Sequence, residues 1–314
     1  MKITEAINEN TQNLDLKSTQ ELLEIFINEE DAVTKALEQA KYQIAGVIDQ
    51  IFLRIKDYRE IYQSYTGNEQ YTGPRIFYFG AGTSGRLAIL DASECPPTFS
   101  SHPDMFNAVI AGGNRAITQA IENAEDNSAE ARSYVEQHCG PKDIVIGISA
   151  NGAAPFVKGA IDAARDKGLY TVAIANNRDA EIFKTAQEVI YLDTGAEIIT
   201  GSTRLKAGTA QKIVLNMISS SLMIKVGKVY DNLMVDLQAK NKKLKQRAMH
   251  LVQRITGVQD DKKITTVLQE CSYKVKVAIL MLEKNVNAAE AQRLLEINAN
   301  NLRESLIKGI NSFI

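Results

Sequence analysis

Five short apolar runs, Ile76 to Phe79, Ala108 to Ala111, Ile144 to Ile148, Thr171 to Ile174 and Val189 to Leu192, alternate with stretches of helical pattern. No other feature restricts the fold as much. Near-continuous apolar strands need cover on both faces, and intervening helices supply it when the strands run parallel. The expected fold is α/β, a doubly wound parallel sheet in a domain of about 160 residues, closed by a helix from roughly Ala207 to Val226.

The flanks read as helical. Ser18 and Glu21 form an S-x-x-E capping box ahead of a helical pattern that runs to about Tyr65. Within it Val33, Leu37, Ala40, Ile44, Ile48, Ile51 and Ile55 make an i, i+3/i+4 stripe, suited to a core or an interface. Residues 66–74, "TGNEQYTGP", are polar and turn-rich and break the chain. After about Asp236 no strand signal remains, and Gly257, Asn285 and Asn287 punctuate short amphipathic helices. The expected division is an N-terminal helical segment (1–65), the sheet domain (66–236) and a small C-terminal helical domain (237–314).

With 314 residues, 45% of them apolar and 24% charged, the chain is an ordinary globular one, and its net charge of −2 gives no reason to expect a nucleic-acid partner. The cluster Lys240, Lys242, Lys243, Lys245 and Arg247 lies in a helical pattern and reads as a solvated face. No apolar run reaches about 18 residues, and "MKITEAINENTQN" lacks the apolar core of a signal peptide, so no membrane partner and a cytoplasmic location are expected. Cys95, Cys139 and Cys271 lack paired spacing, and only His102, His138 and His250 join them as soft ligands. Neither a disulfide nor a metal framework is expected.

The chemistry is concentrated where strands run into helices. Gly80, Gly82 and Gly85 form a G-x-G-x-x-G after the first strand. A dinucleotide site needs a long helix there and an acidic residue ending the second strand. Here Pro96 and Pro97 are expected to stop the helix after barely three turns, and Gly112, Gly113 and Asn114 stand where the acid belongs. Thr83 and Ser84 instead suit a compact phosphate at a helix N-terminus. A second loop, Ser149, Ala150, Asn151 and Gly152, precedes a helix opening near Pro155. A third cluster supplies Ser202, Thr203, Arg204, Lys206, Thr209 and Lys212. Any one such loop is ordinary turn chemistry; three at the carboxyl edge of one parallel sheet point to a sugar phosphate or a similar small phosphorylated metabolite.

The stretches "GAGTSGRLAILDASECPPTF" (80–99), "NAED" (123–126), "TGSTRLKAGTAQKIVLNM" (200–217) and "TEAINENTQNLD" (4–15) resemble the N-acetylmuramic acid 6-phosphate etherase family, proteins with a sugar isomerase (SIS) domain. The resemblance spans essentially the whole chain. It implies cleavage of the lactyl ether of N-acetylmuramic acid 6-phosphate to N-acetylglucosamine 6-phosphate and D-lactate, without metal or nucleotide cofactor, in a homodimer with its site near the subunit interface. Glu94 matches the family's catalytic acid/base and Glu125 a second active-site glutamate. Substrate contacts are expected from Gly82, Thr83, Ser84, Ser149, Asn151, Gly152, Ser202 and Lys206, and the stripe from Val33 to Ile55 is a candidate dimer contact. Cys95 is expected to pack, and Asp91 to cap a helix or support the site.

In the open-chain sugar the C2 proton is acidified by the aldehyde, so its removal with loss of the C3 oxygen is an elimination, completed by adding water. A carboxyl raised toward neutrality supplies the acid and the base. The second loop departs from the family's S-G-R-T-P, reading Asn151, Gly152, Ala153, Ala154, Pro155, and resembles the glucokinase regulatory protein instead. Asn114 also stands where the family commonly has Glu. A non-catalytic sugar-phosphate-binding regulator and an aldose–ketose phosphate isomerase therefore stay open beside the etherase.

Overall fold

The computed structural model describes residues 2–65, 67, 70–237, 239 and 241–308. Thr66, Asn68 and Glu69 of the turn-rich stretch, and Lys240 of the basic cluster, lie outside the described residues. The chain divides into two compact units: residues 1–54, 74–92 and 106–219 form the first, residues 55–73, 93–105 and 220–314 the second.

In the first unit β1 (Ile76–Gly80), β2 (Phe106–Ile110), β3 (Ile144–Ile148), β4 (Tyr170–Ala175) and β5 (Glu188–Tyr191) form one parallel sheet in the order β2-β1-β3-β4-β5. Each begins and ends within two residues of its apolar run. The three inner strands are buried throughout, whereas β2 and β5, on the edges, are partly exposed. This is the burial that continuous apolar strands dictate.

One face packs Phe77, Phe79, Val145 and Ala173 against Val135, Phe156, Val157 and Ile161, which belong to α4 (Ser128–His138) and α5 (Pro155–Asp166). The other face meets α3 (Gly82–Phe99) and α6 (Lys206–Lys225), where Asp91 accepts hydrogen bonds from Tyr78 of β1 (3.2 Å) and from Asn216 (2.7 Å) and Ser219 (2.9 Å) of α6. Asp91 thus sits inside a helix rather than capping one. Burial raises its pKa, against the pull of these three donors.

Pro96 and Pro97 do not end α3, which runs 18 residues with both inside. Proline φ is already helical, so the cost near the helix end is two missing amide donors and the crowding of each ring against the carbonyl four residues earlier; the amide of Ser100 still closes on the Pro96 carbonyl at 2.9 Å.

Ser18 and Glu21 form the expected capping box of α1 (Thr19–Glu29), and α2 spans Asp31–Ile55. The stripe is mostly core: Val33, Ala40, Ile44, Ile48, Ile51 and Ile55 are buried within the single chain, and Leu37 is half-buried. Within the chain this face already has its packing partners, which leaves it little surface for a dimer contact. By contrast α1 has no buried residue, and Leu16, Leu23 and Ile27 are 78%, 59% and 70% exposed.

The second unit carries a hairpin of β6 (Val229–Tyr230) and β7 (Leu233–Met234), then α7 (Lys242–Thr256), α8 (Asp261–Glu270), α9 (Val275–Lys284), α10 (Ala288–Ile297) and α11 (Leu302–Ile307). Asn241, Asp260, Asn287 and Asn301 accept N-cap bonds, and Gly257 and Asn285 end α7 and α9 in the left-handed region. Lys242, Lys243, Lys245 and Arg247 are exposed on α7. Asp236 accepts from Lys276 at 2.6 Å and lies 3.5 Å from Lys228, whose ammonium burial pushes down to about 8. No helix among the described residues is long and apolar enough to cross a membrane.

Candidate functional site

The strand order reverses between β1 and β3, so the loops leaving these two neighbours flank a crevice at the carboxyl edge. Each leads into a helix N-terminus, that of α3 or of α5. Gly82 opens α3 with φ of 52°, a left-handed conformation suited to glycine. Gly85 lets α3 approach β2, since a β-carbon there would lie 2.5 Å from Ile110. No acidic residue occupies the first turn of α3, leaving its positive end open to an anion. Thr83 is half-buried beside α6, its methyl 3.3 Å from where a β-carbon of Gly208 would be.

Ser84 is buried and donates to Gln211 Oε1 at 2.7 Å; Gln211 Nε2 donates to Asn176 Oδ1 at 2.9 Å; Asn176 Nδ2 donates to the Leu192 carbonyl at 3.1 Å. The Leu192 carbonyl only accepts, so it orients both amides, and the relay ties the first loop to α6 and to the ends of β4 and β5.

In the second loop Asn151 Oδ1 accepts from the Ala153 amide (2.8 Å) and Ser149 Oγ (3.2 Å), and Ser149 Oγ accepts from the Gly152 amide (3.1 Å). With Asn151 Oδ1 engaged by a backbone donor, the group this side chain can still offer a ligand is its NH₂. Gly152 has φ of 71° and touches Ala180.

The third cluster is arranged differently. Ser202 is half-buried. The buried Glu197 carboxylate accepts from the first two amides of α6, Lys206 and Ala207, each at 2.9 Å. Burial raises the Glu197 pKa, and the two amides act against that rise. The Lys206 ammonium is itself buried and paired with Glu29. Burial pushes Glu29 upward, but Lys206, Asn8 and Asn10 outweigh it and hold its carboxyl below the usual range. Lys206 is therefore engaged with Glu29.

Glu125 lies on a 3-10 turn, Ala124–Asp126, whose Ala124 packs on Gly112 at the end of β2. Arg86 of α3 holds the adjoining segment through the Ile117 and Gln119 carbonyls, both at 3.0 Å. Glu125 is exposed, as is Glu94 on α3 within the second unit. Cys95, Cys139 and Cys271 are buried and form no disulfide among the described residues, and burial pushes Cys139 up to about 12.

Gln211, Asn176, Asn177, Glu197 and Glu29 were not among the expected site residues. Glutamine and asparagine in a helix or at a strand end carry no local signal; "ANN" after an apolar strand is the only hint. A cavity of about 840 Å³ is confined to the second unit, lined by Tyr62, Tyr65, Tyr71, His102, Asp236 and Lys276 among others. Lys276 is already saturated by Asp236 and the Gly227 and Asn300 carbonyls, so the strand-edge loops carry the stronger chemistry.

Residues 116–221 match the SIS domain family, residues 59–165 the N-terminal SIS domain of glucokinase regulatory protein, and residues 231–277 that protein's C-terminal lid domain. Three proteins named N-acetylmuramic acid 6-phosphate etherase match nearly end to end. That of Clostridium acetobutylicum is 42% identical over 94% of this chain and 92% of its own; that of Caldanaerobacter subterraneus subsp. tengcongensis 44% over 97% and 94%; that of Klebsiella aerogenes 40% over 97% and 96%. With the parallel sheet and its strand-edge loops, these matches place the chain in the N-acetylmuramic acid 6-phosphate etherase family of SIS-domain proteins.

Proposed function

We propose that this protein cleaves the D-lactyl ether of N-acetylmuramic acid 6-phosphate by elimination and water addition, giving N-acetylglucosamine 6-phosphate and D-lactate, as a carbon–oxygen lyase of amino-sugar recycling. The identity of 40–44% to proteins named as that etherase, over nearly the whole of both chains, carries this reading. The phosphate sits at the open N-terminus of α3, among Gly82, Thr83 and Ser84, with Ser149, Asn151, Gly152 and Ser202 completing the seat. Glu94 protonates the departing lactate oxygen and later activates water, and Glu125 serves at C2. Lys206 acts indirectly, by holding the third loop to Glu29.

The active form is a cytoplasmic homodimer, with the uncovered row Leu16, Leu23 and Ile27 as its contact in place of the buried stripe; a monomer at micromolar concentration by light scattering refutes this. The segments 1–65, 66–236 and 237–314 remain our division of the chain into helical lead, sugar-phosphate domain and helical tail.

Incubation with N-acetylmuramic acid 6-phosphate and enzymatic detection of D-lactate tests the activity. A second reading, a sugar-phosphate-binding regulator, is favoured by the glucokinase regulatory protein matches and by the Asn151–Ala154 loop. Tight binding of sugar phosphate with no D-lactate released selects it.

A further inference from the structure

The N-terminal residues 3–11 form two short 3-10 turns, Ile3–Glu5 and Glu9–Thr11, whose buried residues are polar. Thr4, Asn8 and Thr11 are 0%, 8% and 8% exposed. Each bonds a loop at the carboxyl edge of the sheet. Thr11 donates to the Ile198 carbonyl at 2.9 Å; Asn8 donates to Glu29 at 2.6 Å and to the Ala196 carbonyl at 3.3 Å. Thr4 is held twice by Asn177, which accepts from its amide at 3.3 Å and donates to its hydroxyl at 2.9 Å.

Asn177 also reaches the second loop, donating to the Asn151 carbonyl at 3.2 Å and the Ala150 carbonyl at 3.4 Å. Asn177 is buried, so water does not replace these bonds cheaply. The contact with Thr4 fixes the Asn177 amide, and the amide fixes the backbone from which the Asn151 side chain projects. A neighbouring asparagine, Asn176, turns the other way to serve Ser84 through Gln211.

We infer that the N-terminal turn is a working part of the sugar-phosphate site: Thr4 and Asn177 are positioning residues that hold Asn151 in the ligand-binding orientation. This rests on the etherase reading for the identity of the ligand. Preorganised donors bind without spending free energy on ordering, so loosening the strap affects affinity before it affects the chemical step.

The test uses Thr4→Val, which keeps shape and removes the hydroxyl, and Thr4→Ser, which keeps the hydroxyl and removes the methyl. Binding of N-acetylglucosamine 6-phosphate is measured by calorimetry, and KM and kcat by D-lactate release. Thr4→Val is expected to weaken binding and raise KM about tenfold, the scale of one buried hydrogen bond, with kcat within about twofold and a Tm only a few degrees lower. Thr4→Ser restores the parent values. Unchanged affinity in Thr4→Val, failure of Thr4→Ser to restore it, or a Thr4→Val chain that unfolds or loses kcat and Tm together overturns the inference. If the parent binds the sugar phosphate but releases no D-lactate, the etherase reading fails while the calorimetric comparison still decides the role of the strap. A parent that does not bind the sugar phosphate overturns both.

Discussion

The N-termini of α3 and α6 belong to the same edge of the same sheet and carry similar Gly, Ser and Thr residues, yet they are used oppositely. At α3 the first turn itself carries no acidic residue, and Gly82 is exposed. At α6 the chain has already supplied an anion, Glu197, to the first two amides, and Glu29 to the nearest ammonium. A helix N-terminus attracts whichever anion arrives at least expense of solvation; when the protein provides one, a ligand must displace a buried carboxylate to bind there. The carboxylates divide in the same way. Glu94 and Glu125 are exposed with no hydrogen bond or ion pair among the described residues, whereas Glu197 and Glu29 are hydrogen-bonded and largely withdrawn from water.

The largest expected effect falls on the uncommitted carboxylates. Glu94→Gln should lower D-lactate release about 10²–10⁴-fold, the worth of one acid–base group, while substrate held in D₂O still gains deuterium at C2. Release at the parent rate refutes the role of Glu94. Loss of exchange in Glu125→Gln makes Glu125 the C2 base, and surviving exchange reduces it to sugar binding.

The two helix starts are separated by the next pair of variants. Lys206→Met leaves Glu29 without its cation and should destabilise the fold by about 3–5 kcal/mol, read as a lower denaturation midpoint, with a rise in KM smaller than that of Ser84→Ala. Ser84→Ala should instead break the relay through Gln211 and loosen the first loop, raising KM by the equivalent of about 1 kcal/mol, the net worth of one hydrogen bond. A Lys206→Met protein of normal stability and raised KM erases the distinction drawn between α3 and α6.

The smallest effect is a pH dependence at α6. The folded pKa of Glu197 lies above its ordinary 4.5, so its contribution is complete below that value and declines as pH rises through the folded pKa. The stability advantage of the parent over Glu197→Gln should therefore narrow as pH rises above 4.5, read as converging Tm values. An advantage that widens with pH means that the amides of Lys206 and Ala207 outweigh burial.

Much of the fold was legible because its causes are local. Apolar runs located the five strands, Ser18 with Glu21 the start of α1, and Gly257, Asn285 and Asn287 the breaks in the helical tail. A local rule misled at Pro96 and Pro97, since proline in a last turn removes donors without opposing the helical φ. The stripe on α2 had the right period, but periodicity does not say whether a face meets its own chain or another.

Sequence by itself determined where elements begin and end, which faces are apolar, and that glycine, serine and threonine gather where parallel strands run into helices. Only the tertiary structure decided what each polar group faces. Ser84 meets Gln211 across 127 residues, Thr4 meets Asn177 across 173, and Lys206 meets Glu29 across 177. A buried hydrogen bond is selected by the place where a distant segment returns, and a side chain's composition is the same whether that segment brings it a partner or leaves it open to a ligand.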